Sequence, residues 1–183
     1  KRILVQNDNR DLLPDYLRFL RGIVDSADLP LNVSREALQD NTVFRKMQRV
    51  ITKKVLDHFD TFSQEHLDDY VKFYREFGVI LREGISSDYE NRDRIAKLLR
   101  FGSTNSTFEP SLISLEDYCS RAKEGQEQIY FACGTDRDAV LRDPNLEVFR
   151  SRNLEVLILT DPADEFILSQ LGEFQEKQII SVD

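Results

Sequence analysis

Two continuous apolar runs late in the chain, QIYFACG at residues 128–134 and LEVLILT at 154–160, constrain the fold more than anything else in it. A strand with one face in water alternates apolar and polar residues, whereas one that is apolar throughout is covered on both faces, as in parallel sheets with helices above and below. The surrounding segments fit that reading. SLEDYCSRAK reads as a helix, the Asp136 to Arg152 region as two short helices broken at Pro144, residues 162–171 as a helix, and KQIISV as a final strand. Residues 111–183 are therefore expected to form a small α/β subdomain of αβα layering with a mostly parallel sheet.

The rhythm upstream is different. Ile3 and Val5 alternate as in a strand, after which Pro14 suits a first helical turn and Gly22 a helix end. Leu13, Tyr16, Leu17 and Leu20 then form one apolar face of a short helix from Pro14 to Arg21, expected to lie on a sheet. Beyond the loop IVDSADLPLNVS, the stripe Leu38, Phe44, Met47, Ile51 and Val55 predicts a long helix from Arg35 to Phe59, with Ser34 as its N-cap. Helices from Gln64 to Phe77 and Asn91 to Arg100, with turns around Gly84 and Asp88, read as a helical connector. Phe101 to Ser111, rich in Ser, Thr and Asn, reads as a linker. The expected order is an α/β piece over residues 1–60, a helical connector and linker over 61–110, and the small α/β subdomain. The opening KRILVQND has the look of a strand already under way, without initiator Met or signal peptide, as expected of an excised fragment.

Composition narrows the function classes. With 183 residues and 40% hydrophobic content, including 12 Phe and 6 Tyr, the chain can bury a core despite a charged fraction of 32%. A net charge of −8 argues against nonspecific binding to nucleic acid. The acidity is local: residues 111–183 carry 7 basic and 15 acidic groups, against 11 and 9 in residues 1–60. No apolar run approaches the ~20 residues that span a bilayer, so no membrane partner is expected. Cys119 and Cys133, with only His58 and His66 in the chain, offer no zinc-ligand spacing, and two free thiols fit a reducing compartment.

The loop Asp28 to Glu36, DLPLNVSRE, is the most informative for chemistry. Leu29 and Leu31 flank Pro30 in a segment that should be polar, so they either dock against another domain or tuck into their own core. Arg35 would occupy the first turn of the long helix, where the helix dipole disfavours a cation. An ion pair with Asp28 or Glu36 is the ordinary explanation. The sharper one is a phosphate ligand at a helix N-terminus, with Gln39 on the same face. No phosphate loop, HExxH or nucleophile elbow is present, so autonomous hydrolysis has no visible machinery. Cys133 ends a strand before Gly134 without a histidine partner in sequence and reads as a buried thiol rather than a nucleophile. DPADE, Asp161 to Glu165, reads as a helix start with carboxylates at its positive end.

RGIVDSADLPLNVSREALQ (Arg21 to Gln39) resembles the signature of the middle segment of the heat-shock protein 90 family. IAKLLRFGST, SLEDYCSRAKEGQEQIYF and LEVLILTDPADEF resemble the same family in the same order. The resemblance implies a truncated large α/β subdomain, a helical connector and a small α/β subdomain. It also implies that Arg35 and Gln39 reach the terminal phosphate of ATP held by a neighbouring nucleotide domain, and that Leu29, Leu31, Asn32 and Ser34 belong to the interdomain docking loop. ATP and Mg would then be cofactors of the full-length protein and not of this fragment. Expected partners are client proteins and the protein's own nucleotide-binding and dimerisation domains, within a full-length homodimer; the fragment itself should be mainly monomeric. LREGI, CGTD and KQIISVD are similar to the mitochondrial branch, and LPLNVSRE and LLRF to bacterial members. The expected compartment is the mitochondrial matrix, with the bacterial cytoplasm as the alternative. From a different class, a non-catalytic interaction scaffold would keep Arg35 in structural ion pairs.

Overall fold

The computed structural model describes residues 9–25, 42–105 and 112–182. The strand expected around Ile3 and Val5 lies outside the described residues, as does the N-cap expected at Ser34. The first described element is a single 3-10 turn, Asp15–Leu17, preceded by Pro14 at φ −65° and ψ 156°. Proline thus stands before the turn, in extended backbone, instead of inside a helix reaching Arg21. Tyr16 and Leu17 are fully buried. Among the described residues their neighbours are helices: the ring of Phe19 stacks on Phe77 at 4.9 Å and meets Phe73 edge-on at 5.5 Å.

Four helices form the body that receives this turn: α1 (Thr42–Glu65), α2 (Leu67–Leu81), the short α3 (Gly84–Ser87) and α4 (Arg92–Leu98). On α1 the buried residues are Phe44, Thr52, Leu56, Phe59 and Ser63. Met47, Ile51 and Val55, expected on the buried stripe, are only half-buried. The face that packs is turned by about one residue: with Phe59, at the end of the expected helix, stacked on Phe73 of α2 at 4.8 Å, the residues three and seven positions before it, Leu56 and Thr52, turn inward in place of Val55 and Ile51. Helix α1 also runs six residues past Phe59, so a boundary at residue 60 falls within one helix.

The sheet contains β1 (Gly102–Ser103), β2 (Gln128–Cys133), β3 (Leu157–Leu159), β4 (Glu173–Phe174) and β5 (Lys177–Ser181), in the order β1-β3-β2-β5-β4. The three central strands are parallel and the two edges antiparallel. Side chains alternate across it: Ile129, Phe131, Leu157 and Leu159 face one core, Ala132, Val156 and Ile158 the other. Helices α5 (Leu115–Arg121) and α8 (Pro162–Leu171) supply Leu115, Tyr118, Ile167 and Leu168 to the first core; α6 (Arg137–Leu141) and α7 (Leu146–Ser151) supply Val140 and Leu146 to the second. The expected αβα layering is present.

The predicted linker contributes structure at its start. Phe101 pairs with Ile113 in an isolated bridge, and Gly102 and Ser103 pair with Ile158 and Leu157. The Ser and Thr content that read as a linker instead serves the sheet edge: the Ser103 hydroxyl donates to the buried Glu155 carboxylate, and Thr104 Oγ1 accepts from the Val156 amide at 3.0 Å. The first core is continuous from Tyr16 through the helices to Ile129 and Leu157, so connector and sheet share one apolar interior.

Candidate functional site

Leu29, Leu31, Asn32, Ser34, Arg35 and Gln39 lie outside the described residues. The structure does describe the two stems that carry their loop. The trailing stem is the first turn of α1 at Thr42. The leading stem is the segment Asn9–Asp25, and its attachment is built from long-range contacts.

Tyr16 donates its hydroxyl proton to Asp88 Oδ2 at 2.7 Å. Burial, followed by the hydrogen bond to Asp88 and its charge, pushes the phenol far above its ordinary range, so it stays a neutral donor. Arg18 forks onto Glu83, with Nη1 at 2.6 Å from Oε2 and Nη2 at 2.8 Å from Oε1, and Nη1 also donates to the Asp15 carbonyl at 2.9 Å. The hydrogen bond from Arg18 holds the Glu83 carboxyl below its ordinary value. Gln48 of α1 donates to the Asp11 carbonyl. Asp11, Leu13, Gln48, Thr52, Asp88 and Asn91 line an open groove between the leading stem, α1 and the turn at Asp88–Asn91. Past these anchors the stem comes out of the core: Ile23 is 96% exposed, and Val24 is also exposed.

One residue before Glu83 the chain turns the other way. Arg82 is buried, its side chain only 7% exposed, and its two terminal nitrogens donate to Asp161 and Asp164 at the start of α8. Asp161 is also the N-cap of α8, accepting from the Ala163 amide at 2.9 Å. That amide and then Arg82 hold its carboxyl below the ordinary 3.8. Burial raises Asp164 despite Arg82, because it sits deeper than Asp161. Burial alone would lower Arg82; the two carboxylates outweigh it and keep the guanidinium charged.

DPADE was expected to serve the positive end of a helix, and Asp161 does so, but the partnership with Arg82 spans 79 and 82 positions and has no local signal. The same holds for Tyr16 with Asp88 and Arg18 with Glu83. Cys133 closes β2 half-buried against the first core, while His58 and His66 flank the ring of Phe62 near the end of α1. Among the described residues, no helix is long and apolar enough to cross a membrane.

The sequence profile of the family described as "Hsp90 protein" matches residues 1–183. Curated relatives include the chaperone protein HtpG of Alkalilimnicola ehrlichii, 45% identical over 182 residues, that of Bordetella avium, 46% identical over 182 residues, and that of Escherichia coli K12, 44% identical over 182 residues. Each alignment covers 100% of this chain, and the chain spans 28–29% of the relatives' length. With a profile that matches from the first residue to the last and relatives well above 40% identity along the whole chain, the protein belongs to the Hsp90 family.

Proposed function

We propose that this chain is the middle segment of an ATP-dependent molecular chaperone, assisting protein folding, and that Arg35 supplies charge to ATP hydrolysis in a neighbouring nucleotide-binding domain. The observation that carries the reading is the family match over the full chain, which includes the LNVSRE stretch. Arg35 acts as a planar donor to the terminal phosphate, Gln39 assists, and Leu29, Leu31, Asn32 and Ser34 dock the loop. An arginine delivered by a second domain stabilises charge only when the domains close, which makes hydrolysis conditional on closure. ATP and Mg belong to the nucleotide domain, clients and a second copy of the full-length protein are the partners, and the isolated 183-residue chain is mainly monomeric.

The bacterial HtpG relatives support the bacterial cytoplasm as the compartment. The mitochondrial matrix rests on LREGI, CGTD and KQIISVD alone.

The decisive experiment substitutes Arg35→Lys in the full-length protein and measures turnover and ATP affinity separately. A point charge cannot reproduce the guanidinium fork, so turnover should fall on the order of ten- to a thousandfold while affinity changes little. Normal turnover, or a defect confined to ATP affinity, would overturn the role and leave the scaffold reading.

A further inference from the structure

We propose that the seven-residue segment Arg82–Asp88 is a coupling bracket, in which Arg82 grips helix α8 of the small subdomain while Glu83, Gly84 and Asp88 grip the leading stem of the Arg35 loop. The proposal deepens the function given above, and its consequence for turnover rests on that reading.

Three contacts reach the stem from this one segment. Glu83 holds the Arg18 fork at 2.6 and 2.8 Å, and Asp88 holds the Tyr16 hydroxyl at 2.7 Å. Gly84 gives the Tyr16 ring its bed: a Cβ there would sit 2.9 Å from Tyr16 Cγ and 2.7 Å from Ile95 Cδ1. The Arg18 pair is half-exposed and contributes little alone. Tyr16 is 1% exposed and Ile85 0%, so the stem's orientation is fixed chiefly by the buried ring against the segment.

The opposite grip is tighter still. Arg82 answers two carboxylates at the first turn of α8, and a planar guanidinium fork does this where a lysine point charge would meet one. Because Arg82 and Glu83 are consecutive, a rotation of α8 that moves Asp161 and Asp164 turns the backbone that presents Glu83 and Gly84. The Arg82 junction is a positioning device, acting on the loop only through the stem.

The test is amide hydrogen exchange on the 183-residue chain. The reporters are the Leu17, Arg18 and Leu20 amides, which donate to the Pro14, Asp15 and Leu17 carbonyls at 2.9, 3.1 and 3.0 Å. Arg82→Lys should speed their exchange roughly two- to thirtyfold, the range of a network coupling. The reference is a Ser114→Ala variant, brought to matched thermal stability, which removes a cap that touches neither Arg82–Asp88 nor the stem by any hydrogen bond described. Coupling is reciprocal, so Tyr16→Phe should speed exchange at the Asp164 amide, which donates to the Asp161 carbonyl at 2.9 Å. If Arg82→Lys changes only α8, or Tyr16→Phe changes only the stem, the bracket is refuted. The full-length protein separates the two proposals. Coupled exchange with reduced turnover and retained ATP affinity supports both, whereas coupled exchange with unchanged turnover leaves the bracket standing and removes its consequence for turnover; the Arg35 role itself is decided by Arg35→Lys.

Discussion

Gly84 has no room for a methyl group. With Tyr16 Cγ at 2.9 Å and Ile95 Cδ1 at 2.7 Å from where a Cβ would lie, both neighbours fully buried, neither ring nor isoleucine can swing away. Gly84→Ala should therefore destabilise the chain by about 1–3 kcal/mol, the usual cost of forcing atoms into a filled core. Urea unfolding should show a lower midpoint at unchanged slope; a midpoint equal to that of the parent would mean that the Tyr16 bed is soft. Leu56 is the converse case, a fully buried side chain whose truncation leaves a void. Leu56→Ala should cost roughly 2–5 kcal/mol by the same measurement. The sequence singled out Tyr16 as part of an apolar face and Gly84 as a turn; Tyr16 is buried as that implies, Gly84 instead opens helix α3, and their mutual contact joins positions 68 apart in the chain. Period and propensity describe one element at a time and carry no record of such pairs.

Helix α5 is the element whose ends were most legible. Ser114 accepts from the Asp117 amide at 3.0 Å while Asp117 Oδ2 accepts from the Ser114 amide at 2.9 Å, a reciprocal cap written locally in the sequence SLED. Ser114→Ala removes one half of it and should cost about 0.5–2 kcal/mol, read as a lowered Tm in calorimetry. Helix α8 was equally readable, starting at Pro162 behind its Asp161 cap and stopping before Gly172, which has φ +73°. Helix α1 was not, because its packing row is chosen by Phe73 on another helix. The edge strands were hidden for a different reason. β1 and β4 are two residues each, too short for a period to register, and exist because β3 and β5 offer them an open edge. Of the candidate loop, the residue types and their order were legible, and the anchors of its stem were not, since they join residues far apart in the chain.

Over the whole molecule, acid should be the condition that loosens the fold. Asp136, held down first by the Ala139 amide, Asp161 by the Ala163 amide, and Glu83 by Arg18 all have carboxyls below their ordinary values of 3.8, 3.8 and 4.5. Groups lowered on folding stabilise fully above the ordinary value and lose that contribution as pH falls through the folded one. Asp164 is raised and has the opposite sign, its ionisation opposing the fold at neutral pH and ceasing to do so in acid. Asp69, held down by the hydrogen bond from Lys72, has the same sign as Asp136, Asp161 and Glu83, so among the described residues four lowered carboxyls stand against one raised. Circular dichroism should report loss of helix only below about pH 4, and a midpoint above the ordinary 4.5 of Glu83 would contradict this.

The strand order also sets a timetable for synthesis. β2 lies at the centre of the sheet, yet its two neighbours are β3 and β5, and β5 is the last strand described. As the chain leaves a ribosome at ~5–20 residues per second, β2 is made early and then waits on the order of seconds before Lys177–Ser181 can cover its open flank. During that interval Ile129 and Phe131 have no finished interior to enter, so the nascent protein passes through a stage with sticky, half-built surface that β5 has to close.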